Sequence, residues 1–304
     1  MSRKEKCSPR KVKLGREDKI FYTICYTIII ILTILVLYPI VYIVSASFSD
    51  AAALARGDVW LWPVDFSLDG YQAVFNYNKV WIGYRNTIFY VIAGTLINIA
   101  MTLICAYPLA RKGLPGRSAF AYLFSFTMLF GGGMIPNYLL VKSLGMVDEV
   151  WAMLIPGAMS VYNMIVCRTF IQSNIPEELL ESSQIDGCND FLFFFKMVLP
   201  LSKAIIAVLT LWYAVGHWNA YFSAFMYLYD ENLYPLQIFL RDILVSSDFS
   251  GDLFMDAEEL AAMQSLKLLL KYALIVVSTA PLFTIYPFLQ KYFVKGVMIG
   301  SVKG

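Results

Sequence analysis

Charge is scarce in this sequence, and histidine is nearly absent. Of 304 residues, 15% are Asp, Glu, Lys or Arg, against about 25% in a soluble domain. The deficit is uneven, because long stretches carry no charge at all. With 59% hydrophobic residues and a mean hydropathy of +0.63, there are more apolar side chains than one soluble core can hold. Lipid is therefore the expected solvent. A net charge of +2 leaves no footprint for nucleic acid. The one histidine, His217, has neither the nucleophile nor the orienting acid of a catalytic triad. No G-x-x-x-x-G-K-[ST] run exists to cradle a nucleotide phosphate. The turn at 112–118 has glycines but not that spacing, and Gly131-Gly132-Gly133 lacks the lysine. Cys7, Cys25, Cys105, Cys167 and Cys188 fit neither a zinc site nor a disulfide framework, so no metal is expected.

What the sequence does contain is runs free of charge. A bilayer core needs about 20 residues of helix, and the backbone inside it must pair with itself. Six transmembrane helices are expected, at about 20–48, 85–110, 118–141, 150–170, 203–229 and 270–290. The expected fold is all-α and polytopic. A basic N-terminus at 1–19 precedes a membrane domain at 20–294, and a short tail follows at 295–304. The first run is too long for a signal peptide and lacks an A-x-A-like end, so it reads as a retained helix. Gly131–Gly133 predicts a local break or a close helix contact in the third span.

Lys and Arg set the orientation. Eight of them lie before residue 20, Arg111, Lys112 and Arg117 follow the second span, and Lys291, Lys295 and Lys303 close the chain. The segments 50–85 and 230–268 are instead rich in Asp and Glu. Six spans with both termini in the cytoplasm satisfy every loop.

The longest cytoplasmic connection expected, at 173–200, reads as helix, glycine turn, helix. Pro176 suits a first helical turn, with Asn174 as its cap. Glu177, Glu178 and Glu181 complement the positive end of that helix. Gly187 is its natural stop, and a second helix at 191–198 ends before Leu199-Pro200. Such a unit is either a knob held in another protein's groove or an amphipathic connector on lipid. Three close glutamates disfavour anionic lipid.

This segment resembles the EAA loop of ABC importer permeases, E-A-A, three residues, G, nine residues, I, one residue, L-P. Glu181-Ser182-Ser183 stands for E-A-A, Gln184, Ile185 and Asp186 lead to Gly187, Met197 stands for I, and Leu199-Pro200 close the pattern. The sequences SNIPEELLESSQIDG, MSVYNMIVCRTF and YAVGHWNAYFSAFMYL also resemble carbohydrate-uptake permeases of the maltose-transporter type, and within them oligosaccharide permeases of Gram-positive bacteria. The resemblance implies a type I importer permease fold in the bacterial cell membrane. It also implies a second permease chain, a dimer of ATP-binding-cassette ATPase subunits that hold ATP and Mg, an extracellular solute-binding protein, and a carbohydrate substrate. The ATPase-coupling residues would be Glu177, Glu178, Glu181, Ser182, Ser183, Asp186, Gly187, Leu199 and Pro200. No cofactor is expected in this chain.

For the substrate pathway, His217 is the polar residue at membrane depth that draws attention. It reads either as an interhelical hydrogen bond or as pore lining, where Trp218, Asn219 and Tyr221 would offer rings and an amide to a sugar. Asn98, Asn137 and Asn163 each read as a helix-packing residue before a ligand group, and Asn163 is the one kept as a further candidate. An ion-coupled secondary transporter is the alternative. Such carriers often show internal repeats and intramembrane charges, and neither is found in the sequence.

Overall fold

The computed structural model describes residues 15–246 and 267–286. Among them, every regular element is helical. In order they are α1 (Arg16–Ser47), α2 (Ala51–Arg56), α3 (Asp69–Asn76), α4 (Asn78–Ala110), α5 (Arg117–Leu129) and α6 (Met134–Ser143). Then come α7 (Trp151–Leu154), α8 (Val161–Asn174), α9 (Glu177–Ile185) and α10 (Asp190–Phe193). After a π turn at Phe194–Val198 follow α11 (Leu199–Leu201), α12 (Lys203–Trp218), α13 (Tyr221–Tyr227), a 3-10 turn at Glu231–Leu233 and α14 (Leu236–Ser246). The last described helix is α15 (Lys267–Tyr286).

Helices α1, α4 and α15 are each long and apolar enough to cross a bilayer. Two bent pairs can each add a crossing. They are α5 with α6, bent by 113°, and Asp190–Leu201 with α12, bent by 77°. The first bend falls on the triple glycine, so of the break or close helix contact expected there, the break is what occurs. Gly133 sits at φ +86, a region costly for any residue with a Cβ.

Several expectations need correction. The run at 150–170 is not one helix, because α7 and α8 are separated by residues 155–160. Pro156 removes a backbone donor, and Ser160 restarts the helix by accepting from the Asn163 N–H. The run at 203–229 also divides, with α12 ending at Trp218 and α13 starting at Tyr221. Asn174 does not cap α9. Its amide donates back to Phe170 O at 2.8 Å, and Pro176 itself holds the N-cap position. Nor does the second coupling helix end before Leu199-Pro200, since helical geometry runs on to Leu201. The wide π turn just before Pro200 reshuffles the local hydrogen bonds, so the missing proline donor does not stop the helix. The expectations at 1–14, 247–266 and 287–304 lie outside the described residues.

Helix α4 is the centre of the bundle, packed against α12, α8 and α14. Its buried stripe includes Thr87, Gly94, Asn98, Thr102 and Ala106. Small and hydrogen-bonding residues at this spacing let helices approach closely and bond across the seam, where lipid supplies no hydrophobic drive. Helix α1 is the opposite case. Its most apolar window has no buried residue, and only Ser45, Ala46 and Ser47 at its end are buried. Among the described residues nothing covers its exposed Ile and Leu side chains, as a lipid-facing or partner-facing helix requires.

Candidate functional site

Helix α9 is an acidic surface helix anchored by its inner face. Leu180 and Ser183 are buried, with Leu180 in a core built from α4, α8, α12 and Phe193. Glu178, Glu181, Ser182 and Asp186 are exposed. The two serines that stand for alanines leave no orphan hydroxyl. Ser182 Oγ donates to Leu179 O at 3.0 Å, and Ser183 Oγ donates to Leu180 O at 2.7 Å. Gly187 closes the helix at φ +77, where its N–H meets Gln184 O and the Cys188 N–H meets Ser183 O. Leu199 is half-buried and Pro200 exposed, both on α11.

Glu177 is not free. Its carboxylate pairs with Lys112 Nζ at 2.6 Å, and Arg111 Nη1 reaches Asp190 Oδ1 at 3.5 Å. Glu177 holds the Lys112 ammonium above the ordinary lysine range. The helix–turn–helix is thereby joined to the turn after α4, and Arg168 and Gln172 of α8 donate to the last carbonyls of α4. Each exposed ion pair is worth about 0–1 kcal/mol, so the buried face of α9 anchors it and the ion pairs set its position.

The second feature is a cavity of about 370 Å³ between α4, the α7–α8 break, α12 and α13. Its polar lining comprises Asn98, Tyr213, His217, Ser223 and Tyr227, and among the described residues no Asp, Glu, Lys or Arg lines it. His217 Nε2 lies 2.6 Å from Asn98 Oδ1, while Asn98 Nδ2 donates to Gly157 O at 2.6 Å. Because that second bond makes Asn98 Oδ1 the acceptor, His217 Nε2 must carry the proton. A Cβ at Gly94 would overlap the imidazole, so glycine is the residue that admits it. Tyr213 OH accepts from the Ser160 N–H at 3.2 Å and bonds Thr102 Oγ1 at 2.7 Å. Two buried networks thus tie α4, the α7–α8 break and α12 together along one wall.

The other pathway candidates lie elsewhere. Trp218 is buried on the flank of α12 that meets α15, where its indole N–H donates to Ser278 O at 3.1 Å. Asn219 is exposed, and its amide donates to Val215 O. Tyr221 packs its ring beside Phe225. Asn163 is buried in the first turn of α8, away from the cavity lining. Sequence reasoning missed Tyr213, Ser223 and Tyr227, and ranked packing above ligand binding for Asn98. A signal was present, because Tyr213, Gly216 and His217 recur at helical spacing on one face of α12.

At the opposite end of the bundle, α4 grips the connection after α13. Asn86 Nδ2 donates to Asn232 O and Tyr234 O, Tyr90 OH to Leu233 O, and the Leu236 N–H to Thr87 Oγ1. Asp148, at φ +62, accepts from the N–H groups of Tyr229 and Asp230 at 2.7 and 2.8 Å. The Tyr234-Pro235-Leu236 segment is therefore a clamped corner, with Leu236 fully buried.

Residues 80–299 match the family model described as binding-protein-dependent transport system inner membrane component. The polygalacturonan/rhamnogalacturonan transport system permease protein YtcP of Bacillus subtilis is 39% identical over 289 residues, covering 95% of this chain and 100% of that protein. Protein LplC of the same organism is 42% identical over 269 residues, covering 88% of this chain and 89% of its own length. A chain of a solved bacterial ABC transporter involved in the import of the acidic polysaccharide alginate superposes with a TM-score of 0.84 at 34% identity, over 93% of this chain and 99% of that one. The chain belongs to the family of binding-protein-dependent transport system inner membrane components.

Proposed function

We infer that this chain is a permease subunit of an ATP-driven importer that carries acidic oligosaccharides, of the uronate-containing kind, across the cytoplasmic membrane. The observation that carries the reading is α9, an acidic knob with a buried inner face and an exposed outer one, joined rigidly to the ends of α4 and α8. A helix held in that way transmits a push, as a partner's groove would supply. The ATPase is a separate dimer that binds ATP and Mg and receives Glu178, Glu181 and Ser182. The chain crosses the membrane six times with both termini in the cytoplasm. A second permease completes the pore, and an extracellular solute-binding protein presents the sugar at the face that carries Asp148 and the Tyr234 corner.

Two relatives support the substrate class, since the named substrates of one permease and of the solved transporter are both acidic polysaccharides. The cavity agrees chemically. It offers an imidazole, an amide and hydroxyls with no carboxylate to repel a uronate. His217 has Nε2–H committed to Asn98, so in the neutral imidazole Nδ1 is the acceptor for a sugar hydroxyl.

The test is uptake by cells that express the complete importer, with labelled oligogalacturonate and a neutral gluco-oligosaccharide of equal length compared side by side. Accumulation of the acidic sugar that depends on this chain and on ATP is expected. Uptake of the neutral sugar alone would overturn the substrate class. Uptake that persists without the ATPase would overturn the mechanism.

A further inference from the structure

A cleft of about 240 Å³ lies between the start of α5 and the middle of α8, lined by Arg117, Ser118, Ala121, Tyr122, Ser125 and Arg168. Both arginines are half-buried. Arg168 is held in place by its Nε donating to Leu109 O at 3.0 Å, and Arg117 Nη1 reaches Arg111 O at 3.4 Å. These bonds use carbonyls and leave both positive charges uncompensated. Among the described residues, neither guanidinium is within ion-pair distance of a carboxylate. Two like charges lining one partly buried cleft repel each other and call for an anion between them.

Nearby features point the same way. Helix α5 has Gly116 at its N-cap with no side-chain cap, so its first-turn amides add positive potential at the same spot. Arg117 also borders a neighbouring cavity with Arg111, whose buried Nε has no acceptor. The carboxylates of this region are already engaged, Glu177 by Lys112 and Asp190 by Arg111, and neither pairs with Arg117 or Arg168. Helix α5 has no buried residue at all, and Phe120, Leu123 and Phe126 stand exposed along it beyond the cleft. An anionic head with apolar tails matches that arrangement, because the charge would enter the cleft and the chains would lie on α5.

We propose that Arg117 and Arg168 form a binding site for the phosphate of an anionic phospholipid. The Ser118 and Tyr122 hydroxyls line the same cleft and offer neutral donors to the headgroup oxygens, while Ser125 Oγ donates to Ala121 O at 2.8 Å. Such a lipid would bridge α5 to α8 and stiffen the element that also carries the α9 knob. The site does not depend on which sugar is carried.

The experiment uses the intact importer purified in detergent, with phosphatidylglycerol and phosphatidylcholine titrated in and bound lipid read by native mass spectrometry. Wild type should prefer phosphatidylglycerol. The double variant Arg117→Gln/Arg168→Gln should bind it roughly 30-fold more weakly, with each arginine contributing about one surface contact. Arg117→Lys/Arg168→Lys should retain most of the binding, which separates charge from folding. Equal binding of phosphatidylglycerol by wild type and the glutamine pair would overturn the proposal. So would a wild type that shows no preference between the two lipids while inorganic phosphate in excess protects the cleft, since that marks a free anion site. Loss of the ATPase subunit from the glutamine pair with lipid binding intact would assign the cations to a protein contact instead.

Discussion

Gly187 offers the sharpest test of how α9 works. Its φ of +77 lies in the left-handed region, which costs an L-residue about 1–2 kcal/mol. A Cβ placed there meets nothing within 4 Å, so substitution costs backbone strain and no collision. That cost is small beside the insertion of the spans but large for one surface turn, since 1.4 kcal/mol is a tenfold change in population. Gly187→Ala should depopulate the native turn by roughly 5–30-fold, and Gly187→Val more, because of its branched Cβ. Asn tolerates this region best among residues with side chains, so Gly187→Asn should lie nearest wild type. The assay is the reconstituted importer, read as ATP hydrolysed per sugar moved, with membrane insertion checked in parallel. The expected order of coupling is Gly, Asn, Ala, Val at equal insertion. Wild-type coupling in the valine variant, or equal loss in asparagine and alanine, would refute the link between this backbone angle and transport.

Four further outcomes follow from the geometry. Gly94→Ala should abolish uptake or folding by displacing the His217 ring, and His217→Ala in the same chain should restore folding, measured as detergent-stable yield; additive damage would sink that account. Asp148→Ala loses the acceptor for two amides and keeps an unfavourable φ, so it should lower thermal stability by about 2 kcal/mol, while Asp148→Asn loses less than half of that. Swapping charges at Lys112 and Glu177 singly should reduce coupling modestly, and the double swap should recover it in the same hydrolysis assay. In a Cys188→Ser background, a cysteine at Trp62 should react with an impermeant thiol reagent added outside, and one at Gly113 only after permeabilisation; the reverse pattern would invert the topology.

Much of the candidate site was legible as spacing. The acidic first turn and the glycine stop are local features, and local features are set by neighbours in the chain; the helix end expected before Leu199-Pro200 was not found. The errors arose where the decision belonged to distant residues. Asn174 has the chemistry of a cap, but its amide finds Phe170 O first. The 150–170 run has the composition of one helix, but Pro156 breaks it and α4 supplies Asn98 to bond the freed Gly157 carbonyl. Trp218 and His217 are adjacent in sequence and about 100° apart around α12, so one faces Ser278 and the other the cavity.

The sequence alone determined the solvent, the helical class and the place of the acidic helix and its glycine stop at 177–187. These follow from the length of charge-free runs and from the need of every buried amide for a nearby partner, both properties of contiguous residues. The tertiary structure decided which polar residues share a wall. It set the proton on His217 through Asn98, engaged Glu177 with Lys112, and left Arg117 and Arg168 together without a carboxylate. Those outcomes depend on helix rotation and crossing, which bring together residues tens of positions apart and which no local pattern records.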